Sequence, residues 1–254
     1  MIPGLERFRA HFHGLEPSYV LIGGAAALLL LDEAGLVFRA TKDLDIVLCV
    51  EALDGAFVDA FWSFVSLAGY ERRDIGTAPR RYYRFQRPSE QDYPAMLELF
   101  SRRIDGLDVP EEDVHLTPVP VDEDLSNLSA ILLDDALYAW ILEGRRTLAD
   151  VPVVGAVEMV ALKMRAFLDL SDRKSRGEAV DAKDIKKHRN DVLRLLQVVT
   201  AEPIDSAPDG VREDAARFAD MAISDQPDPR NLALVFASLE DALAVLEVLF
   251  GAAS

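Results

Sequence analysis

The sequence has a single cysteine, Cys49, and four histidines in 254 residues. A lone thiol excludes an internal disulfide framework, and so few soft ligands argue against a structural zinc site. Long apolar runs are also missing. The longest, from Tyr19 to Leu31, is broken by Gly23 and Gly24 and falls short of the ~20 residues that a membrane-spanning helix needs. Positive charge is scarce: 27 Lys and Arg stand against 44 Asp and Glu, a formal net charge of −17. That balance excludes a surface that grips nucleic acid or an anionic membrane throughout, while leaving room for a local basic site. Glu6, Arg7 and Arg9 occupy the N-terminal segment, with no apolar stretch of a secretory signal, so the expected location is the cytoplasm. What is present is half hydrophobic and 28% charged, the composition of a folded globular chain. The length suits one large domain or two modest ones.

The hydrophobic pattern divides the chain near Asp150. Residues 1–150 read as an α/β (α+β) part and residues 151–254 as a C-terminal helical part. Leu5 to Phe12 suits a short opening helix. Tyr19-Val20-Leu21-Ile22 is an apolar, β-rich run stopped by two glycines and reads as a buried strand. Ala25 to Leu31 predicts a helix closed near Gly35. Asp43 to Leu48 alternates with the period of a strand, and Asp54 to Ala68 carries a helical stripe in Phe57, Phe61, Phe64 and Val65. Further strands are expected at Tyr82 to Phe85, Ala95 to Phe100, Ile131 to Leu133 and Val151 to Val154. Asp105 to Leu125 is acidic and proline-bearing and reads as a surface excursion. Beyond Gly155, stripes at Val157, Val160, Met164 and Phe167, and at Ile185, Val192, Leu195 and Leu196, predict amphipathic helices. Two more are expected between Asp214 and Phe250. There is no internal repeat and no low-complexity segment.

The stretch from Ile22 to Leu48 carries the chemistry. A glycine pair between a strand and a helix N-terminus permits close backbone approach, and it offers free N–H groups and a positive dipole end to a phosphate. Its plain alternative is a turn. Asp43 and Asp45, at i and i+2 of a strand, project to the same side while Leu44, Ile46 and Leu48 enter the core. Two adjacent carboxylates repel unless a cation lies between them, and divalent ions such as Mg²⁺ accept a few carboxylates plus substrate oxygens. Glu98 is an isolated charge in the apolar strand Ala95 to Phe100. Its burial would cost several kcal/mol without a partner. A metal shared with Asp45 is one such partner; an arginine such as Arg84 is the other.

Gly23-Gly24 followed by Arg39-Ala40-Thr41-Lys42-Asp43-Leu44-Asp45-Ile46 resembles the core motif of the nucleotidyltransferase superfamily. More narrowly, it is similar to the AbiEii/AbiGii toxin family, of the type IV toxin–antitoxin kind, with its Arg-x-Ser/Thr-x-Asp-hydrophobic-Asp segment. Ala161-Leu162-Lys163 and Asp181-Ala182-Lys183-Asp184-Ile185 match that family's later helical elements, so the similarity runs from about Tyr19 to Leu196. The resemblance implies a nucleotidyltransferase fold with a mixed sheet, Mg²⁺ as cofactor, and transfer of a nucleoside monophosphate from an NTP with release of pyrophosphate. It implies Asp43 and Asp45 as metal ligands, with Glu98 the third carboxylate expected from the neighbouring strand. Gly23, Gly24, Arg39, Thr41 and Lys163 would bind the nucleotide, and Asp184 would complete the catalytic set. RNA such as tRNA and a cognate antitoxin are the partners it implies, without a membrane. One departure stands out: many relatives carry Ser or Thr after the glycine pair, where this chain has Ala25.

Read from the residues alone, Lys163 borders an apolar stripe and can equally snorkel to the surface. Asp184, three residues after a potential N-cap at Asp181, can simply offset a helix dipole. Arg39 can bind phosphate or pair with an acid. The expected acceptor surface is Arg72, Arg73, Arg80, Arg81, Arg84 and Arg87 interleaved with Tyr70, Tyr82, Tyr83 and Phe85, followed by Arg102 and Arg103. Arginines with aromatics clamp phosphates and stack on bases. A small-molecule acceptor of the aminoglycoside kind, or a non-catalytic NTP- or partner-binding module, are the competing readings.

Overall fold

The computed structural model describes residues 2–74, 82–102, 116–118, 129–225, 227 and 234–251, and of residues 72–74, 82–83, 116–118, 129–132 and 225 only the backbone. The chain divides into two compact units, Met1–Asp32 with Val37–Val154, and Glu33–Leu36 with Gly155–Ser254.

The first unit is built on a mixed sheet. Its described strands are β1 (Tyr19–Ile22), β2 (Asp43–Leu48), β3 (Glu71–Asp74), β4 (Tyr82–Gln86), β5 (Met96–Arg102), β6 (Leu116–Pro118), β7 (Ser129–Leu133), β8 (Arg146–Leu148) and β9 (Val151–Val153). They run in the order β3-β4-β5-β2-β1-β9-β8, with β7 also on β5 and β6 on β7. The central pairs fix the geometry: β1 and β2 are antiparallel, while β2 and β5 are parallel with Asp45 opposite Glu98. Strands β1, β2, β4, β5, β7 and β9 and helices α1 (Leu5–His11), α2 (Gly23–Glu33) and α3 (Gly55–Ala68) fall where the periodicity places them. Strands β3 and β8 and helix α4 (Asp135–Glu143) are additional elements, and β6 puts a strand, paired with β7, inside the stretch expected to be a surface excursion.

The two faces of this sheet differ in chemistry. Leu21, Leu44, Ile46, Phe85, Leu97 and Leu99 share one face and are essentially fully buried. Against it lies an aromatic cluster in which Phe12 of the turn after α1 meets Tyr19, Phe57, Phe61 and Phe64 with centroids 5.5–6.3 Å apart. Each such ring contributes roughly 1.5–3 kcal/mol of burial, and Phe61 of α3 meets Phe85 of β4 edge to face at 5.3 Å. Helix α3 is fixed at both ends: the Asp54 side chain accepts from the Phe57 N–H at 2.9 Å, and Gly69 closes it at φ 63°. The opposite face carries Asp43, Asp45, Arg84 and Glu98.

The second unit is helical. It contains α5 (Ala156–Ser175), α6 (Ala182–Leu195), α7 (Asp209–Asp225) and α8 (Leu239–Phe250). Helix α5 packs on α6 and α7, with Phe167 and Phe218 edge to face at 5.2 Å. Asp181 caps α6 through the Lys183 N–H, and α8 opens with a Ser238–Asp241 capping box.

Candidate active site

Strand β1 ends at Ile22, opposite Asp45 of β2, and the chain turns into α2 at Gly23 with φ 68°. Only glycine suits this turn. The space a Cβ would occupy is filled by the Asp45 carboxylate. A Cβ on Gly24 would lie 2.8 Å from the Thr41 hydroxyl and 3.6 Å from the Arg39 guanidinium. Segment 39–41 is thus folded against the first turn of α2, and Arg39 also stacks on Phe38 at 5.0 Å. Gly23, Gly24, Arg39, Thr41 and Asp45 are brought together, and Asp43, two residues along β2, shares the Asp45 side of the sheet. Ala25 is fully buried, so a hydroxyl there would be enclosed.

Glu98 sits on the expected rung, opposite Asp45, and of its two expected partners it meets the arginine. The Arg84 Nε donates to Glu98 Oε1 at 2.6 Å, and the Arg84 Nη2 donates to the same oxygen. The Glu98 side chain is only 12% exposed and Arg84 28%, so the pair is largely shielded from water. Among the described residues, no group of three or more His, Cys, Asp or Glu stands close enough to hold a metal ion. The three-carboxylate centre of Asp43, Asp45 and Glu98 is therefore not assembled. The remaining pair still fits Mg²⁺, which is commonly held by one or two carboxylates and completed by substrate phosphates. The Asp45 carboxylate lies against Gly23, the first residue of α2, so the pair stands at a helix N-terminus, a setting that favours phosphate.

The helical elements carry the other two expected site residues. Lys163, on α5, is 5% exposed, and its Nζ lies 3.5 Å from the fully buried Asp191 of α6. Arg194 reaches the other oxygen of Asp191 at 3.8 Å. Asp184 is exposed in the first turn of α6, where its charge faces the helix dipole. Lys163 thus meets Asp191, an acid of α6 that the sequence reading did not single out. The available signal was its place beside the apolar stripe of Val192 and Leu195.

The expected base-stacking platform is dismantled where it is described. Phe85 is fully buried, and Tyr70 is 7% exposed with its hydroxyl donating to the Pro94 carbonyl at 2.6 Å. Arg87 pairs with Glu71 at 3.2 Å and Arg102 with Glu51 at 2.9 Å. Glu51 also accepts from Tyr138, and these bonds outweigh burial and hold its carboxyl below the usual range. The side chains of Arg72, Arg73, Tyr82 and Tyr83, and residues Arg80, Arg81 and Arg103, lie outside the described part, as does most of the acidic excursion. Asp43 instead lines a groove of about 540 Å³ together with Lys42, Gln86, Arg87, Glu90 and Asp92. Cys49, 3% exposed, has its thiol pushed up to about 11 by burial and offers no nucleophile near neutrality. Among the described residues, no helix is long and apolar enough to cross a membrane.

No family model matches the chain, and no curated protein matches it. Among solved structures it is similar to the antibiotic-resistance factor ANT(2'')-Ia in solution, at 11% identity and a TM-score of 0.39, over 87% of this chain and 92% of that one. A likeness that faint carries no argument about what this chain does.

Proposed function

We propose that the chain is a nucleotidyltransferase, moving a nucleoside monophosphate from an NTP to an acceptor. The supporting observation is the cradle at the start of α2. There Gly23 makes room for Asp45, Gly24 makes room for Thr41 and Arg39, and Asp43 shares the Asp45 face.

The backbone N–H groups of the first turn of α2, with the positive end of its dipole, bind phosphate oxygens. Arg39 adds a planar cation that matches them. Asp43 and Asp45 would hold Mg²⁺, which when bound neutralises charge on the triphosphate and helps align the attacking oxygen. The acceptor hydroxyl oxygen forms a bond to the α-phosphorus as the bond from that phosphorus to the α–β bridging oxygen breaks; pyrophosphate leaves with the bridging oxygen, and the hydroxyl proton passes to solvent. Catalysis of this kind rests on positioning and charge stabilisation, which a rigid strand pair and a helix terminus supply.

The groove beside Asp43 favours a small polar acceptor. Asp43, Glu90 and Asp92 outnumber Lys42 and the already paired Arg87 on its walls, which suits a cationic molecule. An RNA acceptor, and with it a toxin of the AbiEii kind opposed by a cognate antitoxin in the cytoplasm, is the second reading. It rests on the basic stretch between Arg72 and Arg87. The test incubates purified protein with Mg²⁺ and each NTP labelled at the α-phosphate, offering cellular RNA in one arm and cationic small molecules in the other, with Asp45→Asn as control. Label on one acceptor class, absent with the variant, supports the reading and selects the acceptor. Label in neither arm from any NTP sinks it.

A further inference from the structure

Arg84 and Glu98 form a pair that the proposed reaction does not use. They face each other across β4 and β5, and Glu98 faces Asp45 across β5 and β2. Arg84, Glu98 and Asp45 therefore make one rung on a single side of the sheet, with Asp43 one step along it. At ~4.8 Å per strand, about 10 Å separates the Cα atoms of Arg84 and Asp45, a spacing that a chain of phosphates can bridge.

The Glu98 charge is compensated inside the fold. Two guanidinium nitrogens of Arg84 converge on Oε1, and a guanidinium does not lose its proton in proteins. A divalent cation seeking Glu98 would have to displace a hydrogen-bonded partner from a largely buried pair, and such a pair is costly to break. Arginine is also suited to phosphate, because its planar guanidinium matches the geometry of phosphate oxygens.

We infer that Glu98 is not a cation ligand in this chain but a positioning residue, which anchors Arg84 beside the Asp43–Asp45 pair so that its guanidinium meets a phosphate of the bound nucleotide. This rests on the nucleotidyl-transfer reading and adds an anion-binding residue to it.

The experiment uses the full chain with a non-hydrolysable NTP analogue. Mn²⁺ affinity is followed by electron paramagnetic resonance at saturating analogue, and analogue affinity by calorimetry at saturating Mn²⁺. Wild type, Asp45→Asn, Glu98→Gln, Arg84→Gln and Arg84→Lys are compared, each checked by circular dichroism for a native melt. Glu98→Gln should leave Mn²⁺ affinity within about threefold of wild type while Asp45→Asn lowers it more than tenfold. Arg84→Gln should weaken the analogue at least fivefold, with Arg84→Lys recovering part of the loss; if Arg84→Gln does not fold, Arg84→Lys and Glu98→Gln carry the test. Loss of Mn²⁺ in Glu98→Gln comparable to that in Asp45→Asn overturns the inference alone. So does unchanged analogue binding in both Arg84 variants. A wild type that binds neither Mn²⁺ nor analogue overturns the nucleotidyl-transfer reading and the inference together.

Discussion

The Asp45 carboxylate occupies the space that a side chain on Gly23 would need, so the strand-to-helix turn and the acid beside it were shaped as one unit. Gly23→Ala meets two penalties. An L-residue at φ 68° costs about 1–2 kcal/mol, and the new methyl collides with Asp45, adding about 1–3 kcal/mol unless the acid moves. Gly24→Ala meets Thr41, its hydroxyl at 2.8 Å and its Cβ at 3.3 Å, but from an ordinary helical backbone. Urea unfolding should show a loss of about 2 kcal/mol or more for Gly23→Ala and less than about 1 kcal/mol for Gly24→Ala. Equal stability of the two variants would mean that Asp45 is not held against the turn.

Asp45→Asn separates chemistry from stability. The residue is half-buried beside another acid on the same face, so removing its charge relieves repulsion with Asp43 in metal-free buffer. Transfer should fall below detection while the melting temperature in chelator stays level or rises. A melting temperature that drops by many degrees would assign the carboxylate a structural task.

Much of this arrangement was legible because it rests on short-range rules. The i, i+2 alternation of Asp43 and Asp45 and the glycine pair after an apolar run need no tertiary information. The same alternation marks Phe85 as core, since it sits on the pleat opposite Arg84, and reading Phe85 as a stacking platform ignored that rule. The partner of Glu98 was narrowed to Arg84 or a metal but not chosen. Whether Arg84 faces it depends on the register between β4 and β5, which is set by tertiary pairing and not by local pattern. Asp191 escaped for a similar reason, because the acid of α6 that meets Lys163 is chosen by how two helices pack. Strand β8 is three residues long and mostly exposed, too short for a periodic signal.

The Lys163–Asp191 pair yields an asymmetric prediction. Asp191 is fully buried, so Lys163→Met removes a cation 3.5 Å from its carboxylate, with Arg194 at 3.8 Å left to compensate it in part. Breaking one side of such a pair costs about 3–5 kcal/mol, while replacing both partners by apolar residues is often near neutral. Lys163→Met should therefore destabilise the chain far more than the double variant Lys163→Met with Asp191→Leu. Thermal denaturation of the three proteins decides it. A double variant as unstable as the single would show that the pair contributes more than mutual neutralisation.

Glu158 gives the pH-dependent case, because two effects oppose each other there. It lies in the first turn of α5, where a negative charge favours the helix dipole, yet burial raises its pKa above the ordinary 4.5, with its own backbone N–H acting weakly the other way. A carboxyl raised in the folded state binds its proton more tightly there than in the unfolded chain. Its favourable contribution is complete below pH ~4.5 and is lost as the pH climbs through the folded value. Glu158→Gln, which stays neutral throughout, should be more stable than wild type at pH 7, with the difference closing as the pH falls toward 4. Paired urea titrations at the two pH values isolate this group, since the other acids titrate alike in both proteins. A Gln variant less stable than wild type at pH 7 would show the helix dipole to be the stronger effect, and Glu158 to be held charged at the start of α5.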